Sequence, residues 1–178
     1  MPQSTQQEES ALAAFVGASR SNASGTRLPS RTRLPRVLRS SSSAAPRRED
    51  SLAVRGIGVD VVQVARLVQA LERFGERMER RLFTDGELAY CRSHKDPLPH
   101  LAARFAAKEA AFKAIGTGLS GGVGWKHAEV IQPGGRQPRL EFHDVALERF
   151  RALGADAVHV SLTHDGGLAI ACVVIEGR

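Results

Sequence analysis

Aromatic residues make up only 5% of this 178-residue chain, with one Trp, one Tyr and seven Phe. Its core must therefore rely on Leu, Val, Ile and Ala, and 42% hydrophobic content is enough for one domain of that kind. No run approaches the ~20 apolar residues that a membrane helix needs, so no membrane partner is expected. The N-terminus lacks a compact apolar stretch of the kind a secretory signal uses. Cysteine is scarce too: Cys172 sits in an apolar run and reads as a small buried hydrophobe, while Cys91 lies in a polar helical stretch. Two cysteines in such different settings do not make a disulfide framework, and a reducing, cytoplasmic location fits them.

The net charge of +6 is unevenly spread. Residues 1–50 carry eight Arg, no Lys and four acidic residues, and the remaining 128 positions carry 17 basic and 15 acidic residues. The basic character thus belongs mostly to the N-terminal stretch. A high pI by itself points to nucleic acid, but that reading weakens once this stretch is set aside, and no nucleic-acid partner is expected. Residues 1–51 are rich in Ser, Arg, Pro and Gln, lack apolar periodicity and are expected to be a disordered extension. With no acidic residue between Glu9 and Glu49 they also have the composition of an organelle transit peptide, but a bland extension is the preferred reading.

Residues 52–178 are expected to form the folded domain. Leu52 to Val64 is dense in Val and Ile and reads as a buried strand. Val64, Leu67, Val68, Leu71 and Phe74 recur at helical spacing, which predicts a helix from Val64 to Met78. Thr84-x-x-Glu87 is a capping box that should open a second helix. Pro97 and Pro99 precede an Ala-rich run from Leu101 to Ile115, the strongest helix signal in the chain, with Gly116 and Gly118 as its stop. Ala128 to Ile131 and Arg139 to Phe142 read as a hairpin around Pro133-Gly-Gly135. A short helix is predicted over Val145 to Leu153. Two strands, Ala157 to Thr163 and Leu168 to Ile175, should join at Asp165-Gly-Gly167. Hairpins mixed with helices, without alternating β-α-β units, predict an α+β fold with a small antiparallel sheet packed on a long central helix.

Several residues stand out chemically. Asp60 is a lone carboxylate in the apolar run Gly56-Ile-Gly-Val-Asp60; it is either a solvated strand-end residue or a buried charge that needs a partner or a metal. Within Leu101 to Ile115, Arg104 and Lys108 are i,i+4 neighbours, as are Glu109 and Lys113. Phe105 and Phe112 frame Glu109, which needs either Lys113 or a metal. Gly116-Thr-Gly-Leu-Ser-Gly121 matches G-x-G-x-x-G but follows a helix, which rules out the dinucleotide reading. It remains a plain linker or a phosphate-contacting loop. In Ser161-Leu-Thr-His-Asp165, His164 is a candidate general base or part of an ordinary polar turn.

Taken together these motifs resemble the holo-acyl-carrier-protein synthases, the small 4′-phosphopantetheinyl transferases. The resemblance runs from Arg55 to Glu176. It rests on Gly56-Ile-Gly-Val-Asp60, Leu82-Phe-Thr-x-x-Glu87, the stretch from Ala103 to Gly118 centred on Lys108-Glu109, Gly135-Arg-x-Pro138 and Ser161-Leu-Thr-His164. It implies transfer of phosphopantetheine from coenzyme A to a serine of apo-acyl carrier protein. It implies Mg²⁺ on Asp60 and Glu109, a cation that takes one or two carboxylates together with phosphate and water. It implies that Lys113 serves the transferring phosphoryl group, and that Arg104, Lys108 and His164 line the coenzyme A site. Glu109, a metal-bound water or His164 would assist the serine proton. Arg66 and Arg73 match positions that face the acidic carrier helix, with Arg77 and Arg80 competing for that place. Val62 stands where larger relatives have a second acid, which points to the small class and to a homotrimer with sites between subunits. Competing readings are a basic nucleic-acid-binding module and an inactive trimeric assembly protein. Neither accounts for Asp60, Glu109 and Lys113 together.

Overall fold

A computed structural model describes residues 52–178; the extension expected over residues 1–51 lies outside them. The strand β1 (Ala53–Gln63) leads into α1 (Val64–Leu82), α2 (Asp85–Arg92) and the long α3 (Pro97–Ala114). A short hairpin follows, β2 (Ala128–Ile131) and β3 (Arg139–Phe142), then α4 (Asp144–Ala152) and a second hairpin, β4 (Ala157–Asp165) and β5 (Leu168–Gly177). The larger sheet has the order β1-β5-β4 and is antiparallel throughout. The β4–β5 turn is made by Gly166 and Gly167, both at positive φ. That is the geometry a two-residue hairpin favours.

Helix α3 is the centre of the domain. Every residue from Leu101 to Phe112 is buried. Such a stretch has no solvent-facing side and is covered all round. It starts at Pro97, earlier than the expected Leu101, because Asp96 caps it by accepting from the Leu98 N–H at 3.2 Å. Proline is well tolerated at a first helical position, where its missing N–H costs nothing. Helix α1 runs on to Leu82, past the expected Met78, but is broken at Gly75, whose φ of 64° and ψ of −157° no helix contains. The Thr84 capping box forms as expected: Thr84 Oγ1 accepts from the Glu87 N–H, and Glu87 Oε2 accepts from the Thr84 N–H.

The glycines of Gly56-Ile-Gly-Val-Asp60 explain how β1 lies on α3. A Cβ on Gly56 would meet the Ala114 carbonyl oxygen at 2.1 Å, and one on Gly58 would meet the Ala110 carbonyl oxygen at 1.8 Å. Two strand residues and four helix residues span nearly the same length, ~6–7 Å, so the contacts stay in step. The next inward-facing residue of β1 is Asp60, which this close approach delivers to α3. Gly58→Ala is therefore expected to lower the melting temperature by roughly 5–15 °C, since overpacking of this kind costs ~1–3 kcal/mol or more. A melt indistinguishable from wild type would contradict the close approach.

Candidate active site

Asp60 lies in the middle of β1, paired across the sheet with Ala171, and only 3% of it is exposed. It is a buried charge, not a solvated strand end. Lys113, on the last turn of α3, reaches it: Nζ is 2.8 Å from Asp60 Oδ1 and also donates to the Val59 carbonyl at 3.1 Å. Glu109 sits one turn earlier on α3 and is 8% exposed. The fold thus brings two buried carboxylates and a lysine to the seam between β1 and α3, where the lysine side chain is 37% exposed and meets solvent.

The donor set suits a hard divalent cation. Asp60 and Glu109 supply only carboxylate oxygens, the ligand type Mg²⁺ takes in ones and twos when phosphates and water complete its shell. Both residues keep other interactions, yet Asp60 Oδ2 and Glu109 Oε1 are buried oxygens with no hydrogen bond. Among the described residues, no group of three or more His, Cys, Asp or Glu is placed to cage a metal. A site of this kind would need its remaining ligands from outside the side chains.

A second cluster forms around His100 on the first turns of α3. Its ring lies 3.9 Å from the ring of His94 and 4.9 Å, edge-on, from that of His164 on β4. Arg104 is 1% exposed, and its guanidinium lies 4.0 Å over the Tyr90 ring. Its Nη1 donates to the His100 carbonyl at 3.5 Å, whereas Nε and Nη2 are buried without a hydrogen bond. Burial pulls the His100 imidazole below its usual pKa, and His94, His164 and Arg104 push the same way. Arg104 and His164 thus both lie against His100. Tyr90, His94 and His100 were not singled out by the sequence; they fall outside the periodic runs, and only the fold gathers them.

Lys108 requires a correction. It was expected beside Arg104 and His164 in a coenzyme site, but its side chain is fully buried. Nζ lies 2.8 Å from Glu87 Oε2 and donates to the carbonyls of Trp125 at 3.1 Å and Ala128 at 2.5 Å. Burial lowers its pKa, and Glu87 opposes that shift. Its three donors are used inside the domain, which leaves none for a ligand.

The cysteines also exchange places. Cys91, expected in a polar setting, is fully buried, and burial pushes its thiol up to about 11 against the opposing charge of Arg104. Cys172 is only half-buried, on the outer face of the sheet, and both are free. The glycine-rich loop after α3 holds positive φ at Gly116, Gly118, Gly121 and Gly122. Arg66 is half-buried and Arg73 exposed, both on α1 before the Gly75 break, with the Arg73 guanidinium 5.1 Å over the Phe74 ring. A cavity of about 530 Å³ opens between β3 and β4, lined in part by Arg136, Pro138, Arg139 and His159.

An antiparallel sheet on a buried central helix, with an acidic seam beside a lysine, defines an α+β domain. Residues 56–173 match the 4′-phosphopantetheinyl transferase superfamily, and the chain belongs to it. The holo-[acyl-carrier-protein] synthase of Koribacter versatilis (strain Ellin345) is 45% identical over 124 residues, covering 69% of this chain and 98% of that protein. The crystal structure of the Neisseria meningitidis holo-[acyl-carrier-protein] synthase superposes with a TM-score of 0.62 at 31% identity, covering 69% of this chain and 98% of that one. The Helicobacter pylori holo-[acyl-carrier-protein] synthase, solved in complex with coenzyme A, gives 0.59 at 28% identity over 67% of this chain and 98% of that one.

Proposed function

We propose that this chain is a holo-[acyl-carrier-protein] synthase. It moves the 4′-phosphopantetheine of coenzyme A onto the serine hydroxyl of an apo-acyl carrier protein and releases adenosine 3′,5′-bisphosphate. The observation that carries the reading is the pairing of buried Asp60 with Lys113, one turn from buried Glu109, within a chain that matches the superfamily from 56 to 173. Asp60 and Glu109 would hold Mg²⁺, which when bound neutralises pyrophosphate charge. Lys113 presents its ammonium to the phosphoryl group, where a fixed positive charge helps most if it is in place before the reaction. Arg104 and His164 line the coenzyme site, where a guanidinium suits an anionic group. Glu109 and His164 are the candidate acceptors of the serine proton. Incubation with coenzyme A, Mg²⁺ and an apo carrier should add one phosphopantetheine to the carrier by mass spectrometry; an unmodified carrier would contradict the assignment.

We further propose a homotrimer formed through the outer face of the larger sheet. Ile57, Val59, Val61, Leu168 and Ile170 are each 39–62% exposed. Val61 pairs with Ile170 across the sheet, and Ile57, Val59 and Leu168 share their face of it, so these side chains form an apolar face. Large exposed apolar patches mark association surfaces. Light scattering should give a trimer for the wild type and a monomer for Val59→Lys with Ile170→Glu. A trimeric double variant would contradict this placement. No helix among the described residues is long and apolar enough to cross a membrane. We place the enzyme in the cytoplasm, a reducing compartment that suits its two free thiols. Residues 1–51 are proposed to be dispensable for transfer.

A further inference from the structure

We infer that Glu87 and Lys108 form a positioning device that fixes helix α3 so that Glu109 and Lys113 meet Asp60; this deepens the proposed transfer reaction and rests on it. The two residues belong to separate sequence motifs, yet they are one buried unit. Glu87 is 1% exposed and makes three contacts on different elements. Its Oε2 takes the Thr84 N–H at 2.9 Å and the Lys108 ammonium at 2.8 Å, while Oε1 takes the Val130 N–H at 3.0 Å. Lys108 in turn holds the Trp125 and Ala128 carbonyls. The pair therefore ties α2, α3 and the start of the β2–β3 hairpin to a single point. Thr84 Oγ1 extends the tie by donating to Glu129 Oε1 at 2.6 Å, and His143 meets Glu129 Oε2 at 3.1 Å. The Trp125 ring, stacked on Phe105 at 4.9 Å, closes the same side of α3.

On its other side α3 is fixed by the carbonyl contacts of Gly56 and Gly58. Lys108 precedes Glu109 directly, so the two side chains leave the helix ~100° apart. Freeing the Lys108 side allows α3 to turn about its axis. A turn of ~10° displaces a carboxylate ~6 Å from the axis by about 1 Å, and a misplacement of that size costs up to about 10²-fold in rate. A buried ion pair adds little net stability by comparison with apolar packing, but removal of one partner strands the other. Its benefit here is geometric.

The test is a double-mutant cycle with Glu87→Gln, Lys108→Met and both together, read as kcat and as KM for coenzyme A and carrier separately. Assays are run at a temperature where circular dichroism shows each variant folded. Each single variant should lose about ten-fold or more in kcat with little change in either KM, and the double variant should regain much of the loss of Lys108→Met. If Lys108 instead touches coenzyme A, Lys108→Met raises that KM, Glu87→Gln does not, and the double variant regains nothing. If only the melting temperature falls while kcat holds, the pair is scaffolding; either result overturns the proposal. Should Lys108→Met fail to fold, Glu87→Gln decides by itself, since its amide keeps an oxygen for the Val130 N–H. A lowered kcat then supports the role and an unchanged one overturns it. Wild-type turnover in the same series separates the two readings: turnover without coupling removes the positioning role alone, and no turnover removes the functional reading with it.

Discussion

Asp60→Asn and Glu109→Gln are each expected to lower kcat for phosphopantetheine transfer by about 10²–10³-fold, the range seen when a preorganised charge at a reacting centre is removed. Both variants keep the size of the side chain, so neither opens a cavity beside α3. The Asp60–Lys113 pair costs little to lose, because the lysine side chain is 37% exposed and solvent screens it. The melting temperature should therefore move by only a few degrees while turnover collapses. Chelator should reproduce the loss in the wild type and add nothing further to either variant. Binding of Mn²⁺, followed by electron paramagnetic resonance, should weaken in both. Full turnover in excess chelator, or variants that bind Mn²⁺ and transfer as well as wild type, would contradict the metal assignment.

Arg66→Glu with Arg73→Glu should raise KM for the carrier by about 10–100-fold and leave KM for coenzyme A nearly unchanged. The two positions are seven residues apart, about two helical turns, so they share one side of α1. The break at Gly75 comes after both and leaves that side intact, whereas Arg77 and Arg80 lie beyond it. Carrier proteins resemble acidic helical bundles, so charges of this kind act mainly on association rate and weaken with salt. Wild-type KM for the carrier should rise with ionic strength, and the double variant should lose most of that dependence. Normal carrier kinetics in the double variant, or equal damage to coenzyme A binding, would place docking elsewhere.

Much of the fold was legible because the signals are local. The β-branched run of β1, the Thr84 capping box, the Ala-rich α3 with its glycine stop and the Asp165-Gly-Gly167 turn each specify structure within a few residues. The miss at the start of α3 was local as well: Pro97 was placed ahead of the helix where it is a first helical residue behind an Asp96 cap. The break at Gly75 carried no more signal than any glycine in an exposed helix. The site was only partly legible. A lone carboxylate in an apolar strand and another in an apolar helix flagged Asp60 and Glu109 as needing partners, but i,i+4 spacing suggested Lys113 for Glu109, and the structure joins it to Asp60, 53 residues away. Lys108 was misplaced for the same reason. Its partners Glu87, Trp125 and Ala128 come from three other segments, and spacing along one helix contains nothing of them. The His94–His100–His164 cluster likewise exists only after β4 folds beside α3.

The most direct test is the mass of an apo-acyl carrier protein after incubation with coenzyme A and Mg²⁺, with wild-type enzyme and Glu109→Gln side by side. The wild type should convert the carrier to a single heavier species, larger by one phosphopantetheine, with adenosine 3′,5′-bisphosphate released in equal amount. The Glu109→Gln sample should stay at the apo mass over the same interval. A carrier unchanged by the wild type, or converted equally by both, would contradict a transferase centred on Asp60, Glu109 and Lys113.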